Sequence, residues 1–232
     1  MTQNLNPPLS IVVLLSGSGS NLQAIIDSIQ SGSLNAKIEC VLSNKAEAYG
    51  LIRAGQAGIP NIVINKIPSQ TREQYDQLLI EAISPYQPDL IVLAGFMRIL
   101  SPVFTQHFAN RIINIHPSLL PKYRGMNTHQ RVLEAKDPDH GATIHFVTEG
   151  LDEGPIIAHT KVSVSKNDSI NKLKQRVLEQ EHYLYPEVLR WFAASRLRLI
   201  DSQVYLDGQP LSARGYEIYV DDTKAKNQLP CR

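Results

Sequence analysis

Five short apolar runs recur at regular spacing along the first half of the chain. Residues 9–15 carry no charged side chain, which is typical of a strand buried on both faces of a sheet. Between such runs, apolar residues recur three and four positions apart, as in residues 22–29, which is the period of an amphipathic helix. The strands predicted for this half are 9–15, 37–42, 61–64, 89–94 and 111–115.

Capping signals indicate where the helices between these strands begin and end. A helix over 46–57 is followed by a glycine and then by a proline, a common C-terminal signal. Thr71 and Gln74 are predicted to form a capping box at the start of the next helix. Ser101 and Pro102 open a short helix as its N-cap and first residue.

The second half of the chain is predicted to contain longer elements. Pro186 interrupts the longest helix, and the Asp207-Gly208 pair favours a hairpin near the end of the chain. The helices are predicted at 128–135 and 169–194 and the strands at 142–147 and 156–164.

Strands that alternate with helices in this way predict a parallel sheet with helices on both of its faces. We therefore expect an α/β fold with an open, mostly parallel, doubly wound (Rossmann-like) sheet of about seven strands. One catalytic domain over residues 9–215 accounts for these elements. Residues 1–8 and 216–232 are expected to be flexible termini.

The composition is that of an ordinary globular protein, and it narrows the class of partner. Of the 232 residues, 43% are hydrophobic and 19% are charged, and the formal net charge is +1. This balance does not favour nucleic acid or a membrane surface as a partner. The N-terminus lacks a signal-peptide pattern, and the apolar runs are far shorter than the ~20 residues of a membrane helix. Because there are only two cysteines, Cys40 and Cys231, we expect a cytoplasmic protein without a disulfide framework.

Three unusual stretches fall where predicted strands end, at 16–21, 95–100 and 114–118. In open α/β sheets, ligands bind beyond the carboxyl ends of the strands. The three stretches together therefore predict a binding site at this edge of the sheet.

The first stretch, 16–21 (SGSGSN), favours a phosphate group over a dinucleotide. Its two glycines allow the backbone to approach a ligand, and the amides at the start of the following helix can bind an anion. The dinucleotide pattern G-x-G-x-x-G is not met, because Leu22 stands in place of its third glycine. A monophosphate site is predicted, and the alternative is a plain tight turn in which Ser20 or Asn21 caps the helix.

Asn114 and His116 are predicted to project from the same face of the fifth strand, because side chains alternate along a strand. An imidazole titrates near neutral pH and can move a proton, and an asparagine amide can donate to a developing oxyanion. The pair favours acyl-type transfer through a tetrahedral intermediate, and the alternative is a purely structural pair. A carboxylate that orients the histidine is expected at Asp152, although spacing alone does not separate it from Glu149 or Glu153.

Other chemistries receive little support from the sequence. The seven histidines are scattered without an H-x-x-x-H or H-x-H pair, so no metal site is expected. His145 and His159 lie in predicted strands and are expected to be structural. Cys40 lies within a predicted strand, where a small buried hydrophobic residue is the usual role.

Six segments together resemble the phosphoribosylglycinamide formyltransferases, which are folate-dependent enzymes also called glycinamide ribonucleotide transformylases. The resemblance runs from about residue 10 to beyond residue 210. It implies the formyltransferase fold and formyl transfer from the cosubstrate 10-formyltetrahydrofolate to the amino group of 5-phosphoribosylglycinamide, a step of purine biosynthesis. The segments are SGSGSNLQAIID, VLSNKAEAYGL, LAGFMRILSP, NIHPSLLPKYRG, HFVTEGLDEGP and QEHYLYP.

The same resemblance implies a role for individual residues. Asn114 and protonated His116 would stabilise the oxyanion, and Asp152 would favour the charged form of His116 and order water. The ribotide, 5-phosphoribosylglycinamide, would bind at Gly19, Ser20, Asn21 and Glu181. The folate would bind largely through backbone groups at Met97, Arg98, Ile99 and Leu100, and also at Arg72, Asn114, Thr148, Glu149, Gly150, Leu151 and Asp152.

Alternatives to this activity remain open at this point. Methionyl-tRNA formyltransferases share SLLPKYRG, but the near-neutral charge and the short segment after the core argue against a tRNA substrate. Formyltetrahydrofolate hydrolases are closer competitors, although they usually carry an additional N-terminal domain and here the first strand starts at about Leu9. A non-catalytic nucleotide-binding protein is a third alternative. Arg124 and Asn127 depart from the family pattern. We expect a monomer or homodimer that acts on small molecules.

Overall fold

A single eight-stranded sheet organises residues 7–219, the part of the chain that this computed structural model describes. The strands of the chain are β1 (Leu9–Leu15), β2 (Ala36–Ser43), β3 (Asn61–Val63), β4 (Leu90–Leu93), β5 (Ile112–His116), β6 (Asp139–Phe146), β7 (Ile156–Ser163), β8 (Leu197–Ile200), β9 (Gln203–Leu206), β10 (Gln209–Pro210) and β11 (Tyr216–Glu217). The order in the large sheet is β11-β7-β6-β5-β4-β1-β2-β3, and β8, β9 and β10 form a second, antiparallel sheet.

The large sheet is parallel except at the two pairings of β6 with β5 and with β7. The predicted α/β, mostly parallel, doubly wound architecture is therefore confirmed. The strand order reverses direction between β1 and β4, and in such sheets this switch point opens a crevice at the carboxyl ends of the strands.

Helices cover both faces of the sheet, which explains why β1 is apolar throughout. Ile11, Val13 and Leu15 pack into one core, whereas Val12 and Leu14 pack into the other. The helices are α1 (Ser20–Gln30), α2 (Tyr49–Gln56), α3 (Arg72–Ile83), α4 (Pro102–His107), α5 (Thr128–Ala135) and α6 (Ile170–Ala193), with a 3-10 turn at Ser84–Tyr86.

Local sequence signals place several element ends correctly. The predicted capping box at the start of α3 is present, with the Thr71 hydroxyl accepting from the Gln74 amide and the Gln74 side chain accepting from the Thr71 amide. The predicted hairpin turn at Asp207-Gly208 joins β9 to β10. Cys40 is buried in β2, as expected, and Cys231 lies outside the described residues.

Two expectations about the second half of the chain need correction. Pro186 does not interrupt α6, which continues through it as one helix of 24 residues. Burial of the adjoining Leu184, Tyr185 and Val188 against the sheet explains why the helix persists despite the missing amide donor.

The sheet also extends past the predicted domain limit at residue 215. Tyr216 and Glu217 pair in parallel with Ala158 and His159, and they supply the eighth strand in place of the expected count of about seven. A two-residue strand has no periodicity by which a sequence pattern could reveal it. Most of the two expected flexible termini, residues 1–6 and 220–232, lies outside the described residues.

Candidate functional site

A cavity of about 850 Å³ opens at the carboxyl ends of β1, β4 and β5. The three stretches that the sequence singles out after these strands all line it. The loop before β7 and one face of α6 close its other sides. The site therefore lies at the switch point of the sheet, where the strand pattern predicts it.

Backbone contact shapes the first loop. Gly19 has a φ of 69° and is itself the N-cap of α1, which no side chain caps. A Cβ atom at Gly19 would lie 2.5 Å from Cα of Gly50, and the amide of Gly50 donates to the carbonyl of Gly17 over 3.0 Å. The alternative in which Ser20 or Asn21 caps the helix is thus wrong. The helix terminus is left open to an anion instead.

The same contact explains why α2 starts at Tyr49 rather than at the predicted residue 46. Ala48 adopts an extended conformation, and α2 begins where Gly50 meets the first loop. The start of α2 is therefore fixed by a tertiary contact and not by a capping residue.

Two of the predicted ribotide-binding residues, Asn21 in α1 and Glu181 in α6, contact each other. The Asn21 amide nitrogen donates to a Glu181 carboxylate oxygen over 2.8 Å, and both side chains are buried. Burial raises the pKa of Glu181 to about 7, although the Asn21 hydrogen bond and the nearby Lys174 ammonium oppose this shift. A carboxyl group that titrates near neutral pH therefore faces the cavity beside the first loop.

This raised pKa predicts a dependence of stability on pH. Between the ordinary value of 4.5 and about 7, the folded protein retains the Glu181 proton while the unfolded chain releases it. The free energy of unfolding therefore falls as pH rises through this window, by about 3 kcal/mol once the group is ionised in both states. Glu181→Gln removes this titration, so the variant should match the parent at pH 4.5 and exceed its stability at pH 8. Denaturant unfolding of both proteins at the two pH values measures this difference. If the variant and the parent differ in free energy of unfolding by the same amount at pH 4.5 and at pH 8, the raised pKa of Glu181 is contradicted.

His116 lies at the end of β5 between a carbonyl and a carboxylate. Its Nε2 lies 2.9 Å from the Tyr123 carbonyl oxygen, and its Nδ1 lies 3.4 Å from Oδ2 of Asp152. Because a carbonyl can only accept, Nε2 carries a proton, and Nδ1 is the ring nitrogen that faces the carboxylate. Oδ2 of Asp152 also accepts from the Gly125 amide over 2.8 Å, which holds the carboxylate in place.

The structure shows which of three acidic residues contacts His116, a choice that sequence spacing alone could not make. Glu149 accepts from Gln106 over 2.7 Å, and Glu153 pairs with Arg124 over 2.6 Å. Asp152 is the one of the three whose carboxylate approaches His116.

His145 also belongs to this cluster, although the sequence pattern assigns it a structural role. Its side chain is only 2% exposed and lies opposite Asn114 on the neighbouring strand. Nδ1 donates to the Phe146 carbonyl over 2.8 Å, so Nε2 accepts from the Asn114 amide nitrogen at 3.3 Å. Burial lowers the pKa of His145, which keeps the ring neutral and fit to accept. Its pairing with β5 is a matter of strand register, which a single sequence does not reveal.

The segment after β4 forms an apolar rim of the cavity. Met97 and Ile99 are 67% and 54% exposed, and the Arg98 guanidinium stacks over the ring of Tyr75 at 4.1 Å. Nearly all of the predicted site residues line the cavity. They are Gly19, Ser20, Asn21, Met97, Arg98, Ile99, Leu100, Asn114, His116, Thr148, Glu149, Gly150, Leu151, Asp152 and Glu181.

Arg72 is the one predicted site residue that does not line the cavity. It lies in the first turn of α3, where its half-exposed guanidinium is 3.7 Å from the Glu73 carboxylate. Its contact with a ligand stays a prediction.

Between residues 7 and 219, no group of three His, Cys, Asp or Glu side chains is arranged to hold a metal ion. Among the helices of that same range, none combines the length and the apolar surface needed to cross a membrane.

The chain is similar to known proteins over most of its length. The sequence model of the family described as formyl transferase matches residues 9–189. A phosphoribosylglycinamide formyltransferase from Escherichia coli is 51% identical over 208 residues, which cover 90% of this chain and 98% of the relative. The solved structure of a phosphoribosylglycinamide formyltransferase from Coxiella burnetii, in complex with CHES, superimposes with a TM-score of 0.87 at 51% identity, over 90% of this chain and 99% of the other.

A hydrolytic enzyme shares the fold at lower identity. A formyltetrahydrofolate deformylase from Pseudomonas syringae superimposes with a TM-score of 0.80 at 28% identity, over 86% of this chain and 66% of the deformylase.

Proposed function

The chain belongs to the formyl transferase family, and on this basis we propose how its site transfers a formyl group from 10-formyltetrahydrofolate to the amino group of 5-phosphoribosylglycinamide. The products are formylglycinamide ribonucleotide and tetrahydrofolate, and the reaction belongs to purine biosynthesis. The chain is a folate-dependent one-carbon transferase, and 10-formyltetrahydrofolate is its cosubstrate.

The convergence of Asn114, His116 and Asp152 in one cavity carries the proposal for the catalytic residues. Acyl-type transfer needs a donor at the forming oxyanion and a group that moves a proton between the two nitrogens. The Asn114 amide and the His116 imidazole supply these two functions, and both lie at the end of β5.

Each residue of this trio has one role in the proposed reaction. The substrate amine attacks the formyl carbon, and the Asn114 amide and the protonated His116 stabilise the oxygen that becomes negative. His116 assists proton transfer to the folate nitrogen as its bond to the formyl carbon breaks. Asp152, 3.4 Å from Nδ1 of His116, favours the charged imidazole and orders the water that relays the proton from the amine.

The two ends of the cavity suit the two substrates. The open terminus of α1 at Gly19, Ser20 and Asn21 binds the phosphate of the ribotide, and Glu181 beside Asn21 also contacts the ribotide. The apolar rim at 97–100 and the loop at 148–152 enclose the pterin. Arg72, outside the cavity, is placed near the glutamate tail of the folate by the family resemblance alone.

The experiment that tests the activity follows the folate product spectrum with and without 5-phosphoribosylglycinamide. We expect tetrahydrofolate to form only when the ribotide is present. Tetrahydrofolate and formate released without the ribotide would instead support the hydrolase, an activity favoured by the likeness to the deformylase structure. Ribotide binding without any deformylation would leave Asn114 and His116 as structural residues.

His145 supplies a separate prediction about the orientation of Asn114. His145→Phe removes the acceptor that holds the Asn114 amide, so kcat should fall by about tenfold or more through loss of one oriented donor. In a protein that already carries Asn114→Ala, the same change should cost little further activity. Steady-state kinetics of the two single variants and the double variant form this cycle. Additive losses would show that His145 acts elsewhere.

The remaining expectations also belong to this proposal. Residues 9–215 form the catalytic domain, together with the strand at 216–217 that completes the sheet. The enzyme acts in the cytoplasm on small molecules rather than on nucleic acid. It does so as a monomer or homodimer.

A further inference from the structure

We propose that Ser16 is a positioning residue that couples the binding of the two substrates. This inference rests on the function proposed above, in which Gly19, Ser20 and Asn21 bind the ribotide and the segment at 97–100 binds the folate. Ser16 stands at the boundary between the two, immediately after β1 and immediately before Gly17.

The hydroxyl of Ser16 joins the ends of three neighbouring strands. It donates to Oδ1 of Asn44 over 2.5 Å, just beyond β2, and it accepts from the amide of Met97 over 2.8 Å, just beyond β4. The Ser16 amide also donates to the Gly95 carbonyl over 3.1 Å. With the side chain only 6% exposed, these bonds are shielded from water.

The position of this hydroxyl connects the two subsites directly. Ser16 is the first residue of the loop at 16–21. The carbonyl of the next residue, Gly17, accepts a hydrogen bond from the amide of Gly50. Met97 is the first residue of the folate segment, which the family resemblance predicts to bind through backbone groups. The Ser16 hydroxyl therefore holds the Met97 amide against the end of the loop, so a ligand that stabilises one of the two segments also stabilises the other.

Loss of the hydroxyl would separate the two subsites without removing either one. Ser16→Ala leaves the Met97 amide and the Asn44 side chain without their shared partner. The loop at 16–21 retains its contact with Gly50, and the segment at 97–100 retains the stacking of Arg98 on Tyr75. Each ligand should thus bind alone nearly as before, whereas the effect of one ligand on the other should disappear.

Calorimetric titration measures this coupling at equilibrium. The probes are 5-phosphoribosylglycinamide and an analogue of 10-formyltetrahydrofolate with carbon in place of nitrogen 10, which cannot release its formyl group. In the parent protein, saturating ribotide should tighten binding of the analogue by about fivefold or more. In Ser16→Ala the ratio should fall below about twofold, and by thermodynamic reciprocity the analogue should lose its effect on the ribotide equally.

Ser43→Ala is the matched control. Ser43 is another buried serine at the end of the adjacent strand, and its hydroxyl also makes two hydrogen bonds, both to the backbone of Lys45. Its removal disturbs the sheet edge to a similar extent without touching Met97, so the coupling ratio should remain that of the parent. Asn44→Ala removes the acceptor of the Ser16 hydroxyl and should lower the coupling ratio in part. Because Asn44 is only half-buried, this variant keeps the inference testable if Ser16→Ala does not fold.

Two outcomes would overturn the inference while leaving the proposed function intact. The first is binding of both ligands to the parent protein without mutual tightening. The second is a coupling ratio in Ser16→Ala and Asn44→Ala equal to that of the parent. Failure of the parent to bind either ligand would instead contradict the proposed function.

Discussion

His116→Ala should lower kcat by about 10³-fold while the fold and ribotide binding persist. The imidazole stands between the Tyr123 carbonyl and Asp152 at the end of β5, and in the proposed reaction it stabilises the oxyanion and moves the proton to the leaving nitrogen. The proposed ribotide-binding residues Asn21 and Glu181 lie on other elements, α1 and α6. Steady-state kinetics for turnover and calorimetry for ribotide affinity separate the two effects.

His159→Ala provides the control for this substitution. His159 is a largely buried histidine on β7 that donates to the Arg214 carbonyl, and it does not line the cavity. Its removal should leave kcat near that of the parent. Near-normal turnover in His116→Ala, or an equal loss in both variants, would contradict the catalytic role of His116.

Asp152→Asn should lower kcat by about 10²-fold, with a smaller effect on ribotide affinity. The side chain keeps nearly the same shape and one oxygen that can accept from the Gly125 amide. The negative charge beside His116 and His145 is lost, so in the proposed reaction the positive charge on the imidazole has no carboxylate partner. Single-turnover measurements of the transfer step report this loss without interference from product release.

The neighbouring Glu153 offers a control of the same chemistry one residue away. Glu153→Gln also removes a carboxylate from the loop, but that carboxylate pairs with Arg124 at the surface and is not near His116. We expect its kcat to remain within about twofold of the parent, because exposed ion pairs contribute little. A comparable fall in both variants would mean that loop charge, rather than the contact of Asp152 with His116, controls the rate.

Much of the fold, and the placement of Asn114 and His116 on β5, could be predicted because these features depend on local patterns. Apolar runs that alternate along the chain with amphipathic helices indicate a mostly parallel sheet that is buried on both faces. The alternation of side chains likewise places Asn114 and His116 on one face. The open end of α1 follows from Gly19, whose positive φ and close approach to Gly50 leave no room for a side chain.

The features of the site that the sequence pattern could not predict depend on contacts between segments that are distant in the sequence. His145 joins the site through the register of β6 against β5, and Asp152 is distinguished from its acidic neighbours by partners on other loops. Arg72 shows the reverse case, since the family resemblance names it while the structure keeps it outside the cavity. Strand register and loop partners are set by packing of the whole molecule, so single-sequence patterns do not contain them.

The backbone contact between Gly19 and Gly50 has a consequence for the thermodynamics of binding. Because the segments around Gly19 and Gly50 touch at main-chain atoms, the loop at 16–21 has little room to adopt other conformations before a ligand arrives. A phosphate group that binds there loses little affinity to the ordering of the loop, so this subsite is preorganised. A side chain at Gly19 would strike Gly50, and a side chain at Gly50 would strike Leu15, so a substitution at one position does not relieve the clash at the other.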